Sequence, residues 1–329
     1  MKNRKRHWPR IGLALLAAGA VLLGAGLALG GFSQLKRESA ADVRTATYDA
    51  GVVTALRIEG IAADVRVEKA DGDAVEVTYF EGAREGVEVK LENGILTLKE
   101  YWGHSWRDYI RFMWRDARKI VVRVPGELGG AAIFSTSGDV ALADVPVAND
   151  LTMGTTSGDV EACGRAGSLK MTSTSGALAA REMEIADGLT AGTTSGDIVL
   201  AGLSVGADLK ATSTSGGISV SETDAQSFTL GSVSGDIRLS GARAAKGEGN
   251  LSATTTSGGI TLTDVSAAAY SFGTVSGDLT GVLPGSVRDY TITTGTVSGD
   301  NALPAESYGG RRTIKATTTS GDIKLLFEE

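Results

Sequence analysis

The stretch LTAGTTSGDIVLAGLSVGADLKATSTSGGISV, residues 189–220, carries two turns of one pattern, and its reading decides the fold. In each turn an apolar residue, Leu189 or Leu209, stands two places before a small one, Ala191 or Ala211. A hydroxyl residue, Thr193 or Ser213, follows two places later, and a Ser-Gly pair closes the run. Side chains on an extended strand point alternately to opposite faces, so these three share one side, and their composition puts that side inside. After each Ser-Gly the pairs Ile198/Leu200 and Ile218/Val220 start a second strand on the same plan.

Outward from this stretch the dipeptide recurs at Ser137, Ser157, Ser175, Ser195, Ser215, Ser234, Ser257, Ser276, Ser298 and Ser320, at steps of 18 to 23 residues. A steady period of this length is the mark of stacked coils, each contacting only its neighbours. Six places before the Ser stand Leu151, Leu169, Leu189, Leu209, Phe228, Leu251, Tyr270, Ile292 and Ile314 in the second to tenth copies. Four places before it stand Met153, Met171, Ala191, Ala211, Leu230, Ala253, Phe272, Thr294 and Ala316. The predicted fold is therefore all-β, a single-stranded parallel β-helix (β-solenoid). A Thr or Ser two places before the Ser in every copy predicts an interior column of hydroxyls, bonded from coil to coil at about 4.8 Å and to turn backbone. Corner glycines are expected to supply positive φ.

Two further columns alternate. Three places before the Ser run Gly154, Thr172, Gly192, Thr212, Gly231, Thr254 and Gly273, and the residue after Ser-Gly alternates with them until both patterns lapse at Gly295 and Asp300. Asp278, Asp300 and Asp322 then fall in consecutive copies. We read Asp139, Asp159, Asp197, Asp236, Asp278, Asp300 and Asp322 as a structural turn column, each carboxylate accepting hydrogen bonds from its own turn or a neighbouring Ser or Thr. One Asp per coil is too sparse for the acidic calcium turns of other solenoids.

Upstream, over residues 48–125, Leu56-Arg57-Ile58-Glu59, Val65-Arg66-Val67-Glu68, Val75-Glu76-Val77-Thr78, Val87-Glu88-Val89-Lys90 and Val122-Arg123-Val124 alternate as half-buried strands. Asp71-Gly72 and Asn93-Gly94 are predicted turns between them. Between Tyr101 and Lys119 the period changes to that of a helix, and the spacing predicts a short amphipathic helix near 106–118. Its aromatic and basic side chains, Trp106, Arg107, Tyr109, Arg111, Met113, Trp114 and Arg115, are the candidate surface for a partner or the membrane; the alternative role is a cap on the first coil.

The N-terminus adds a membrane expectation. Residues 1–10 hold five basic residues and no acid, and residues 11–32 carry no charge, long enough at about 1.5 Å per residue to span a bilayer as a transmembrane helix. The basic leader predicts a cytoplasmic N-terminus and an extracytoplasmic bulk, with residues 33–47 as a linker and 126–329 as the repeat solenoid. A removed signal is the alternative. Without the five leader charges the net charge of −7 becomes −12, which argues against nucleic acid as a partner. Cys163 is the single cysteine, so no intrachain disulfide forms. With two His, of which His7 sits in the leader, no nucleophile and base constellation is visible; no enzyme, cofactor or metal is expected.

The basic leader, the single membrane helix, the alternating region ending Val122-Arg123-Val124-Pro125 and the serial T-S-G-D-[VI] repeats together resemble the bacterial putative-adhesin β-strand-repeat family, a domain of unknown function, over about residues 48 to 329. The resemblance implies a right-handed β-helix displayed at the cell envelope, with no catalytic residues to carry over. The expected function is a membrane-anchored, adhesin-like binding or scaffold module whose partner is a cell-envelope glycan or membrane protein. The alternative is an accessory regulator of envelope-stress signalling that acts through a membrane partner.

Overall fold

A computed structural model describes residues 42–82, 85–103, 118–304 and 306–328. All the strands among them join one hydrogen-bonded sheet wound into coils. Each Ser-Gly coil except that of Ser298 places one strand before its corner and one after it, and equivalent strands of adjacent coils pair in parallel. Leu189–Thr193 lies along Asp208–Ser213, with Leu189 opposite Leu209, Ala191 opposite Ala211 and Thr193 opposite Ser213. On the second side Ile198–Val205 lies along Ile218–Ser221. Like residues therefore stack on like, and the all-β parallel solenoid stands as expected. The apolar columns form the core: Leu151, Leu209, Met153, Ala191 and Ile292 are all fully buried.

The corner differs from expectation in two ways. First, the interior hydroxyls do not bond one another. Ser213 Oγ donates to the Gly196 carbonyl of the preceding coil at 3.2 Å and accepts the Gly216 N–H of its own corner at 2.9 Å. Thr193, Ser232 and Thr255 repeat the donation to Gly176, Gly216 and Gly235. A hydroxyl facing a carbonyl a coil away finds a stronger acceptor there than in another hydroxyl, and both buried partners are satisfied. Second, the corner glycines from Gly138 to Gly277 do not have positive φ. They are glycine because a Cβ at Gly216 or Gly235 would overlap the carbonyl group of the corner stacked beneath it.

The coils also do not stack in chain order. Ala55–Glu59 pairs with Gly130–Phe134 on one edge and Ile95–Trp102 on the other. Its continuation Asp64–Lys69 sits likewise between Val140–Ala143 and Lys119–Val124. Ala62-Ala63-Asp64-Val65 thus occupies the place of a Ser-Gly-Asp-Val corner, and the first coil in the chain is the second in space. The far end mirrors this: Arg312–Thr317 is inserted between Ala269–Gly273 and Tyr290–Gly295. The last coil in the chain is the penultimate one in space. The boundary expected at residue 125 separates no sheets, since strands from both sides of it pair. The expected linker also ends early: Asp42–Asp49 is a strand antiparallel to Ala74–Glu81, a long-range pairing that its weak alternation did not signal.

Antiparallel strands cover the first coil. Glu85–Glu92 forms a hairpin with Ile95–Trp102 through the Asn93-Gly94 turn, where both residues have positive φ. Ala74–Glu81 runs along Lys119–Val124. Asp71-Gly72 turns between Asp64–Lys69 and Ala74–Glu81, but these are not neighbours, because Lys119–Val124 lies between them. No helix among the described residues is long and apolar enough to cross a membrane. The span expected at 11–32 lies outside the described residues, as do residues 106–117 of the expected amphipathic helix. Arg118 is described and is not helical; its guanidinium pairs with Glu85 at 2.5 Å and lies 4.8 Å from the centre of the Phe80 ring.

Candidate functional site

The repeated carboxylates are engaged in holding the rod together. Asp197 Oδ1 accepts the Gly217 N–H of the next coil at 2.8 Å, and Asp236 accepts that of Gly259 at 2.9 Å. Asp139 and Asp159 do the same for Asp159 and Ala177. At the far end Asp278 accepts from Asp322 at 2.8 Å and Asp322 from Asp300 at 2.9 Å, so the spatial order is Asp278, Asp322, Asp300. The donor is the backbone N–H of the equivalent residue one coil on, where the expectation was the Asp's own turn or a neighbouring Ser or Thr. A hydrogen bond from Lys324 and the Asp300 N–H hold the Asp322 carboxyl below the usual aspartate range.

Glu100 was not singled out from the sequence. It stands in the hydroxyl column of the coil that is first in space, 2% exposed, and one carboxylate oxygen accepts the N–H groups of Ile61, Ala62 and Ala63. The Ala62-Ala63 corner has Gly60 where a hydroxyl would stand, so a longer side chain from the adjacent coil reaches across to it. The signal was present: Leu96, Leu98 and Glu100 continue the inward alternation to a charged residue.

The candidate surface residues Trp106, Arg107, Tyr109, Arg111, Met113, Trp114 and Arg115 lie outside the described residues. What the structure does present is the outward side of the strands that precede the corners. Five places before each Ser, in spatial order, it shows Ala132, Thr152, Lys170, Thr190, Lys210, Thr229, Ser252, Ser271, Lys315 and Thr293. Three places before it stand Phe134, Gly154, Thr172, Gly192, Thr212, Gly231, Thr254, Gly273, Thr317 and Gly295. Inserting the last coil puts Thr317 between Gly273 and Gly295, so from Gly154 on the Gly/Thr alternation that lapsed in chain order is unbroken in space. One place before the Ser comes a column of Thr and Val. No acid occupies these three columns in the ten Ser-Gly coils.

The opposite side differs in charge. Its basic residues are paired: Arg238 with Asp236 at 2.7 Å, Lys324 with Asp322 at 2.7 Å and Arg181 with Glu161 at 4.0 Å. Cys163 is half-buried, its Sγ 3.9 Å from Asp144. An open groove of about 520 Å³ runs along a further corner, lined by Glu127, Arg165 and Glu184 among others, with Arg165 and Glu184 paired at 3.3 Å.

The chain matches the Toastrack DUF4097 family model over residues 53–326 and belongs to that family. No protein of curated function matches the sequence significantly. Among solved structures it is similar to a "putative adhesin" of Bacteroides fragilis, at 13% identity over 87% of this chain and 97% of the other, with a TM-score of 0.43. It is also similar to a "putative lipid binding protein" of Parabacteroides distasonis, at 15% identity over 88% and 97%, with a TM-score of 0.46. Likenesses of this size say nothing of what this chain binds.

Proposed function

We propose that the chain is a non-catalytic binding module, a rod held outside the cytoplasm by a membrane span over residues 11–32 that presents its outward Thr, Gly and Lys columns to a component of the cell envelope. One observation carries this reading: the recurring polar groups divide cleanly in role. Interior hydroxyls and corner aspartates are engaged in inter-coil hydrogen bonds, whereas the outward columns of the strands before the corners repeat Thr, Gly and Lys coil after coil with no acid among them. A regular exposed surface on a rigid scaffold suits recognition of something equally extended.

The test compares the full chain with a secreted form lacking residues 1–32. Both are incubated with isolated envelope fractions, and retention is measured by sedimentation. A binding module keeps its affinity without the membrane segment. Loss of all retention in the secreted form would favour the accessory regulator, which needs its membrane partner through that segment.

A further inference from the structure

We propose that the outward face of the strands before the Ser-Gly corners binds a linear acidic polysaccharide, laid along the rod axis, with one carboxylate per two-sugar repeat. This rests on the binding-module reading and names its ligand class.

Charge points to the sign of the ligand. The chain carries a net charge of −7, yet three adjacent columns across ten coils hold no acid. Lys170, Lys210 and Lys315 stand exposed there, with no ion-pair partner among the described residues. Arg165, Arg181, Arg238, Arg243 and Lys324 elsewhere on the solenoid each have a carboxylate within 4.0 Å. Lys246, Arg288 and Arg311, outside these columns, are exposed and without an ion pair among the described residues as well. What sets the strip apart is that it holds three such cations and no acid, which gives it complementarity to an anion.

Spacing points to its repeat. In spatial order Lys210 is two coils beyond Lys170, and Lys315 is four beyond Lys210. At about 4.8 Å per coil these separations are roughly 9.6 Å and 19 Å, multiples of one period. Thr172, Thr212, Thr254 and Thr317 repeat at that same two-coil period. Two sugars of an extended β-linked chain cover about the same length, so one carboxylate per disaccharide meets the lysines in register.

The glycines point to close approach. Gly192, Gly231 and Gly273 lack positive φ, and an added Cβ would meet nothing nearer than 3.6, 3.8 and 3.7 Å respectively; at Gly295 nothing lies within 4 Å. Packing does not require glycine there, and glycine within a strand is destabilising. Its effect is to open a trough between successive threonines, where a polymer reaches hydroxyls and backbone together. Phe134, 40% exposed, is the one aromatic in these columns, so charge and hydroxyl contacts, more than ring stacking, recognise the sugar.

The strip is also narrow. Asp150 and Asp208 border it on one side, each accepting a hydrogen bond from a serine at 2.6 Å, and the corner aspartates border it on the other. An anionic membrane plane would meet those carboxylates, whereas a thread between them does not.

The experiment titrates the full chain in neutral detergent with hyaluronan oligosaccharides, which carry one carboxylate per disaccharide, and with dextran and polygalacturonate as neutral and per-sugar-charged comparisons. Hyaluronan is expected to bind in preference to both and to weaken with added salt. Replacing all three lysines (K170A, K210A, K315A) should weaken binding by about tenfold or more. Gly192→Thr with Gly231→Thr should weaken it while the circular dichroism melt holds. Binding indifferent to the lysines overturns the proposal, and equal binding of polygalacturonate overturns the two-coil spacing. If hyaluronan fails while isolated envelopes still retain the chain, the ligand class falls and the binding-module reading stands. If no envelope fraction retains it, both fall.

Discussion

Two glycines of one coil separate the forces that set coil spacing from those that set its surface. Gly235 is at the corner, where a Cβ would overlap the Gly216 carbonyl oxygen, whereas a Cβ on Gly231 would meet nothing nearer than 3.8 Å. Gly235→Ala must push two coils apart. It weakens the Gly235 N–H bond to Ser232 at 2.9 Å and the Thr255 hydroxyl bond to the Gly235 carbonyl at 3.0 Å. Overpacking costs about 1–3 kcal/mol and each strained hydrogen bond about 1 kcal/mol, so the loss should be about 3–5 kcal/mol. Gly231→Ala removes only the entropic penalty of a strand glycine and should stabilise by about 0.5–1 kcal/mol. The assay is the urea midpoint by far-UV circular dichroism for both variants and the parent. Midpoints moving together, in either direction, would refute the assignment of the corner glycines to coil-on-coil contact.

Glu100→Ala leaves the Ile61, Ala62 and Ala63 N–H groups without their acceptor and should destabilise by about 3 kcal/mol or more, with Glu100→Gln losing less; denaturant midpoints check both. Removing Arg312–Thr317 and the strand after it should expose Tyr290–Gly295 as well as Ala269–Gly273, because the removed strand lies between them. Amide exchange would then rise in both strands, whereas stacking in chain order predicts a rise only in Tyr290–Gly295. The lowered Asp322 pKa means its stabilising contribution is present above the ordinary aspartate value and is lost as pH falls through the depressed one. Thermal midpoints followed below about pH 4 should drop less steeply for Asp322→Asn than for the parent.

Much of the site was legible locally. The columns of Leu, small residue and hydroxyl follow from strand alternation alone, and their burial needed no knowledge of neighbours. The outward Thr and Gly columns were equally visible, but in chain order their alternation lapses at Gly295, and only the spatial order of the coils makes it continuous. Glu100 was overlooked because a charged residue at an inward position makes sense only once the Ala62-Ala63 corner beside it is known. The Asp column read as turn chemistry, yet its donors belong to the next coil, a partner that no single repeat contains.

Period and side-chain direction are properties of a strand and its turn, so the sequence by itself determined that the chain coils, what lies inside and what faces solvent. Which coil touches which is a choice among near-identical edges, every one of them offering the same parallel ladder and the same apolar columns. Only the tertiary structure decided it, by placing Ala55–Glu59 and Arg312–Thr317 each between two neighbours. The physical reason is that backbone hydrogen bonding between strands is blind to chain order. Local pattern sets the rung, and packing across distant segments sets the order in which the rungs are stacked.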